Sequence, residues 1–394
     1  MKNKEWTVLI YANGSNELEP EIWRSKLNLE KKCNSKNINV IMQISRAPQK
    51  LVNIIRNISE DNKVNDNEER WDGVRRYLLK DNKSKLLEDM KTINMASHKT
   101  LFDFIKWGVK NYPAKKYMLI ISGHGFLVAT LSDICGVEPY TLGIYEMCTA
   151  INNINKSLKA NIDLLILDIC NMNNIELIYE LGKEVNNTVK NILTYIDSGP
   201  LIGMPYEKII DLLEVDNGKD IKELVSKIIK EIDLETIGIQ VNHQKLKKIK
   251  FCLNKLGYYK IIKKKDLKYY DEEDEKKYLK ELSKEILSMI IDYNTIKKGK
   301  FPIRVITPEM YDIENVDLFL KYYNKLAITK NNYWANVVAN KSIDEPLNLK
   351  ISKVEQNVLT KENLFAFISL FNEKDTDEEM LIKVKKLYRY CKWR

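Results

Sequence analysis

Short, predominantly apolar blocks at residues 6–11, 38–44, 117–122, 162–167 and 192–196 are separated by stretches long enough to hold a helix. A short, largely continuous apolar block reads as a strand covered on both faces. Alternation of such strands with helical segments from about residue 5 to 210 predicts an α/β protein with a largely parallel sheet. The spacing then changes. Ile209, Ile210, Leu212 and Leu213, followed by Ile221, Leu224, Val225, Ile228 and Ile229, recur at helical intervals. Helices are therefore expected through most of 207–292, with the charged run 271–284 on a solvent-facing one. A late strand is expected at 301–306, and helices at 314–340 and 360–391. The polar, Asn/Asp-rich stretch 45–95 is read as a hairpin at 49–58 followed by mixed helix at 71–90. The resulting division is a core over 1–210, a mainly helical insertion over 211–300, a late strand and helix over 301–340, and a C-terminal helical extension over 341–394.

Two of the apolar blocks end in reactive side chains. Tyr117-Met-Leu-Ile-Ile-Ser-Gly-His124-Gly125 places one of the chain's three histidines between glycines directly after a strand, and Ile162-Asp-Leu-Leu-Ile-Leu-Asp168-Ile-Cys170 ends in a thiol. In open α/β sheets ligands and chemistry gather beyond the carboxyl ends of the strands. Taken singly, Cys170 reads as packing and His124 as a structural residue. On neighbouring parallel strands joined by one crossover with a helix at about 140–158, they fall side by side. A thiol nucleophile with an imidazole partner is then expected. Acyl transfer by such a pair also needs donors for the developing oxyanion, and a glycine next to the histidine lets the backbone approach a reacting carbonyl. The N–H groups of Gly125 and Cys170 are the expected pair. Alternation along the strand puts Asp168 on the same side as Leu164, Ile166 and Cys170. A carboxylate on that apolar side needs a partner, either substrate or the N-terminus of a helix from Asn171 onward.

These blocks, together with Trp6-Thr-Val-Leu-Ile-Tyr11-Ala-Asn13-Gly-Ser-Asn16-Glu-Leu18, Leu101-Phe-Asp-Phe-Ile-Lys-Trp107, Leu142-Gly-Ile-Tyr-Glu-Met-Cys148, Pro200-Leu-Ile-Gly203-Met-Pro205-Tyr206, Ile303-Arg-Val-Ile-Thr-Pro308 and Asn332-Tyr-Trp334, resemble the clostripain family of cysteine peptidases. The resemblance spans about residues 5 to 340. It implies a caspase-like fold, an α/β/α sandwich around a mostly parallel sheet, and a cysteine endopeptidase acting through a thioester acyl-enzyme. It also implies a His124–Cys170 dyad with no third member, and cleavage after Arg or Lys with Asp168 in the pocket for the residue before the cut. Asp197 and Asn16 fall where the family has further pocket residues. The chemistry requires no cofactor, although the resemblance allows calcium. Relatives are commonly processed by cutting themselves after a basic residue between the His and Cys blocks. Here 126–155 contains neither Lys nor Arg. An inactive or regulatory binding module on the same fold, or a Cys-His peptide ligase or acyl transferase, are the alternative functions.

Composition narrows the partners. The chain has 394 residues, 44% of them hydrophobic, which supports a sizeable core. Its net charge of +9 comes with lysines interleaved among acids, as on a solvated surface, and the dense patches at 245–250 and 263–265 lack any aromatic ladder. Nucleic acid is therefore not an expected partner. Neither is a membrane, because no run approaches spanning length. Six cysteines show neither paired nor metal-ligand spacing. A cytoplasmic monomer acting on peptides or proteins with basic residues is the expectation.

Overall fold

In a computed structural model, residues 4–34, 36–56, 70–136, 138–215, 220–265, 270–295, 301–310, 316–339 and 357–358 are described. Strands β1 (Lys4–Gly14), β2 (Ile38–Arg46), β5 (Ala114–Ser122), β8 (Leu164–Asp168) and β9 (Asn191–Tyr195) pair in parallel in the order β9-β8-β5-β1-β2. Antiparallel ribbons extend this sheet at both ends. One is β3 (Gly73–Lys80) with β4 (Lys83–Asp89), beside β2; the other is β10 (Thr236–Gln240) with β11 (Ile290–Asn294), beside β9. The result is a nine-stranded sheet among the described residues.

Side chains alternate across it. Leu9, Tyr11, Leu119, Ile121, Leu165 and Leu167 enter one core, while Val8, Ile10, Met118, Ile120, Leu164 and Ile166 enter the other. The first core is covered by α3 (His98–Asn111), α4 (Ile144–Leu158), α5 (Ile175–Gly182) and α8 (His243–Lys265), and the second by α1 (Glu19–Lys32), α6 (Tyr206–Val215) and α7 (Ile221–Ile232). Burial on both faces explains why these strands read as predominantly apolar runs. The expected α/β/α sandwich is the observed architecture. Among the described residues no helix is long and apolar enough to cross a membrane.

Three local readings are corrected. The described part of 49–58 is not a hairpin: Gln49–Arg56 is α2, with Leu51, Val52 and Ile55 on one buried face, following Pro48. Residues 71–90 are not helical. They form the β3–β4 hairpin, whose turn residues Asp81 and Asn82 both have φ of +53°, the left-handed pair that a two-residue type I′ turn demands. The stretch 301–306 is not a strand of the sheet; Arg304 makes a single parallel bridge to Asn174, beside the loop that follows Cys170. Segment 211–300 also supplies the strands β10 and β11 besides its helices, which now include α9 (Glu272–Leu287). Helices α10 (Val316–Tyr323) and α11 (Tyr333–Val338) fall within 314–340. The helix expected at 360–391 lies outside the described residues, as does the rest of 341–394 apart from a two-residue strand, Asn357–Val358. That strand pairs with β7 (Tyr140–Gly143), which itself pairs with β6 (Ala129–Asp133).

Candidate active site

Register brings the two reactive blocks together. Strands β5 and β8 are parallel neighbours with Ser122 opposite Asp168, and the Gly123 N–H donates to the Asp168 carbonyl at 3.3 Å. His124 and Cys170 each follow two residues later, so they leave the sheet at the same level. Both line one cleft of about 150 Å³. Its walls come from the start of α1, through Leu18 and Ile22, and from the segment 199–203.

Cys170 is partly exposed, and its Sγ accepts from the Gly199 N–H at 3.5 Å. Burial pushes the thiol above its ordinary range, and the nearby charge of Asp168 adds to that. The Gly199 N–H and the Ser198 hydroxyl pull it back only in part. The resting group is therefore a thiol at neutral pH, and its thiolate fraction grows as pH rises. Alkylation of Cys170 by neutral iodoacetamide is expected to keep accelerating beyond about pH 8.5, where an ordinary thiol begins to level off. A rate that is flat from neutrality upward, followed by mass spectrometry of the Cys170 peptide, would contradict this.

The chain turns sharply after the sulfur. Asn171 has φ of +60°, its N–H donates to the carbonyl of Asp197 at 2.5 Å, and Asp197 itself has φ of +70°. Helix α5 is capped by Asn174, whose side chain accepts from the Leu177 N–H at 2.9 Å. Arg304 ties these pieces together, donating to the Asn171 side chain at 2.8 Å and lying 3.1 Å from the Asp197 carboxylate. It forms no part of the sequence expectation, because nothing local in 301–306 shows which loop it reaches.

Asp168 is nearly buried and caps no helix. One carboxylate oxygen accepts from the Tyr195 hydroxyl at 2.6 Å and the Met204 N–H at 3.2 Å; the other accepts from the Ser122 hydroxyl at 3.1 Å and from the Tyr206 hydroxyl. All four donors are neutral. Among the described residues no Lys or Arg pairs with this carboxylate. Burial pushes both tyrosine hydroxyls up, and the Asp168 charge pushes them further, so they stay protonated as donors. Gly203, with φ of +75°, is required here: a Cβ at that position would lie 2.6 Å from an Asp168 oxygen.

Two expected pocket residues are not brought to the cleft. The Asp197 carboxylate is turned to Arg304. Asn16 is fully buried, its amide donating to the Ser132 carbonyl at 3.1 Å and its oxygen accepting from the Leu18 N–H at 3.0 Å. It fastens the β1–α1 turn to β6. Both sit near the site in sequence, but side-chain direction at a turn follows from tertiary partners that spacing does not reveal. Gly125 occupies a place where a Cβ would meet Ile169 at 2.2 Å. Among the described residues the N–H groups of Gly125 and Cys170 donate to no protein acceptor.

One residue missed by the sequence reading stands beside His124. The imidazole is 10% exposed, and its Nε2 lies 2.6 Å from Oε1 of Glu17, in the β1–α1 turn. Burial would raise the Glu17 carboxyl, but the charge and hydrogen bond of His124, helped by Arg56, hold it below its usual range. Arg56 in α2 also donates to the Glu17 carbonyl, with Nε at 2.9 Å, and pairs with Glu21. Glu17 lies inside the quoted opening block, yet nothing in its neighbourhood distinguishes it from Glu19 or Glu21. Among the described residues no group of three or more His, Cys, Asp or Glu side chains is arranged to hold a metal ion.

Known proteins agree with this architecture. The chain is 26% identical over 241 residues to clostripain from Hathewaya histolytica, a match covering 55% of this chain and 44% of that protein. It thus spans under half the length of that relative. Among solved structures it resembles an inactive zymogen C11 protease from Parabacteroides distasonis, with a TM-score of 0.58 at 16% identity over 86% of this chain and 99% of that one. It also resembles a secreted C11 cysteine protease from Bacteroides thetaiotaomicron in complex with an irreversible peptide inhibitor, with a TM-score of 0.54 at 13% identity over 81% and 98%. At these identities the likeness speaks for the fold. The clostripain family model matches residues 30–346, which is most of the chain. The chain belongs to the clostripain family.

Proposed function

We propose that the protein is a cysteine endopeptidase that cuts peptide bonds after Arg or Lys, using Cys170 as nucleophile and His124 as proton carrier. One observation carries the reading: His124 and Cys170 line a single cleft whose floor is a carboxylate held by neutral donors alone. A buried charge without a counter-ion is costly, and a cationic side chain entering the cleft supplies that counter-ion next to the sulfur. Because burial keeps Cys170 as a thiol, its proton passes to His124 as sulfur attacks the carbonyl carbon. The oxyanion accepts from the N–H groups of Gly125 and Cys170. Collapse breaks the C–N bond, His124 returns the proton to the departing amine, and water then hydrolyses the thioester.

The reading is tested with peptidyl chloromethyl ketones ending in Arg, Lys or Glu. The two basic reagents are expected to label Cys170 much faster than the acidic one. Equal labelling by all three, or labelling elsewhere, would sink it.

The same specificity bears on processing. The stretch 126–155 has no basic residue, and it is folded into the β6–β7 hairpin and α4. Lys156 lies in the last turn of α4 and contacts Glu184 at 2.8 Å, and Lys159 is its C-terminal cap. Neither offers the extended backbone a protease requires. Purified protein is therefore expected to stay a single chain between Phe126 and Cys170. Fragments with a new N-terminus there, seen in the wild type and absent from Cys170→Ala, would contradict this.

A further inference from the structure

We propose that Glu17 is the positioning residue of His124, making the pair a triad of Glu17, His124 and Cys170. The inference rests on the His124–Cys170 reading above. The Glu17 carboxylate oxygen lies 2.6 Å from Nε2 and can only accept, so it favours the imidazole tautomer with its proton on that nitrogen. That tautomer leaves the lone pair on Nδ1 to take the thiol proton. When Nδ1 takes the thiol proton, the resulting imidazolium stands against a fixed negative charge. Glu17 itself neither gains nor loses a proton; the proton passes from sulfur to Nδ1 and from Nδ1 to the leaving amine.

The surroundings hold Glu17 for this task. Its side chain is 21% exposed, so its charge is only partly shielded by water. Its carbonyl is gripped by Arg56, which also pairs with Glu21, one helical turn further on. Asn16, the preceding residue, is locked to Ser132. The carboxylate is thus delivered by a turn fastened on both sides. Its charge persists to low pH, since its folded value is depressed, and is lost only as pH falls through that value.

The test is Glu17→Gln, which keeps shape and an acceptor oxygen but removes the charge. On a peptide amide after Arg, kcat is expected to fall on the order of tenfold to hundredfold with KM little changed. On the matching activated ester, whose leaving group needs little protonation, the loss is expected to be several times smaller, a split that a merely structural role would not produce. Glu17→Asp, which keeps the charge, should recover part of the amide activity, and this variant also serves if Glu17→Gln unfolds. Unchanged amide turnover in Glu17→Gln, or equal losses on amide and ester, would overturn the proposal. His124→Ala is run alongside. If it still hydrolyses peptide amides, the reading on which the proposal rests fails as well; if it is inactive while Glu17→Gln is fully active, only the role of Glu17 fails.

Discussion

Cys170→Ala is expected to remove peptidase turnover while leaving the protein folded. The alanine loses only a sulfur at a partly open position, where Sγ makes one weak contact with the Gly199 N–H at 3.5 Å. Little packing goes with it, so the urea unfolding midpoint should move by less than about 1 kcal/mol equivalent. The chemistry loses far more. Without sulfur there is no thioester, and removing the nucleophile of an acyl-transfer site costs on the order of 10⁶ in kcat. His124→Ala should cost nearly as much. Substantial turnover by purified Cys170→Ala, with contaminating protease excluded by an irreversible thiol inhibitor, would rule out Cys170 as the nucleophile.

The second large effect is expected from Asp168→Asn. This change removes the Asp168 charge from the cleft and presents an amide to four groups that all donate. A substrate cation then enters a desolvated pocket with nothing to pair with, at a cost of about 3–5 kcal/mol. At about 1.4 kcal/mol per tenfold, kcat/KM on substrates with Arg or Lys before the cut should fall at least hundredfold. Neutral substrates, poor to begin with, should lose much less. The ratio between the two classes separates specificity from folding, since a damaged fold would depress both. Equal losses on basic and neutral substrates would mean that Asp168 only holds the loop carrying Gly203 and Met204.

Much of this was legible because burial on two faces leaves a plain signature. Strands β1, β2, β5, β8 and β9 are sealed by helices above and below, so their sequences are predominantly apolar runs. The same logic placed His124 and Cys170 side by side, since parallel neighbours with one right-handed crossover leave little freedom. The β3–β4 hairpin was less visible because its outer strand faces solvent and carries charges, so the Asp81-Asn82 turn was its only sharp signal. Arg304 and Glu17 were hidden for another reason. Their roles depend on contacts to Asn171 and Asp197, and to His124, across more than one hundred residues of chain. Asn16 and Asp197 illustrate the same limit: a polar residue at a turn shows that it must find a partner, and its sequence neighbours do not say which.

The central claim is that one cleft joins a thiol nucleophile to a pocket for a basic side chain. It is tested most directly by incubating the protein and its Cys170→Ala variant with a peptide library of mixed sequence and mapping every cut by mass spectrometry. The account predicts that cuts appear only with the intact protein and fall after Arg or Lys. Cuts after acidic or apolar residues, or the same cuts with both proteins, would contradict it.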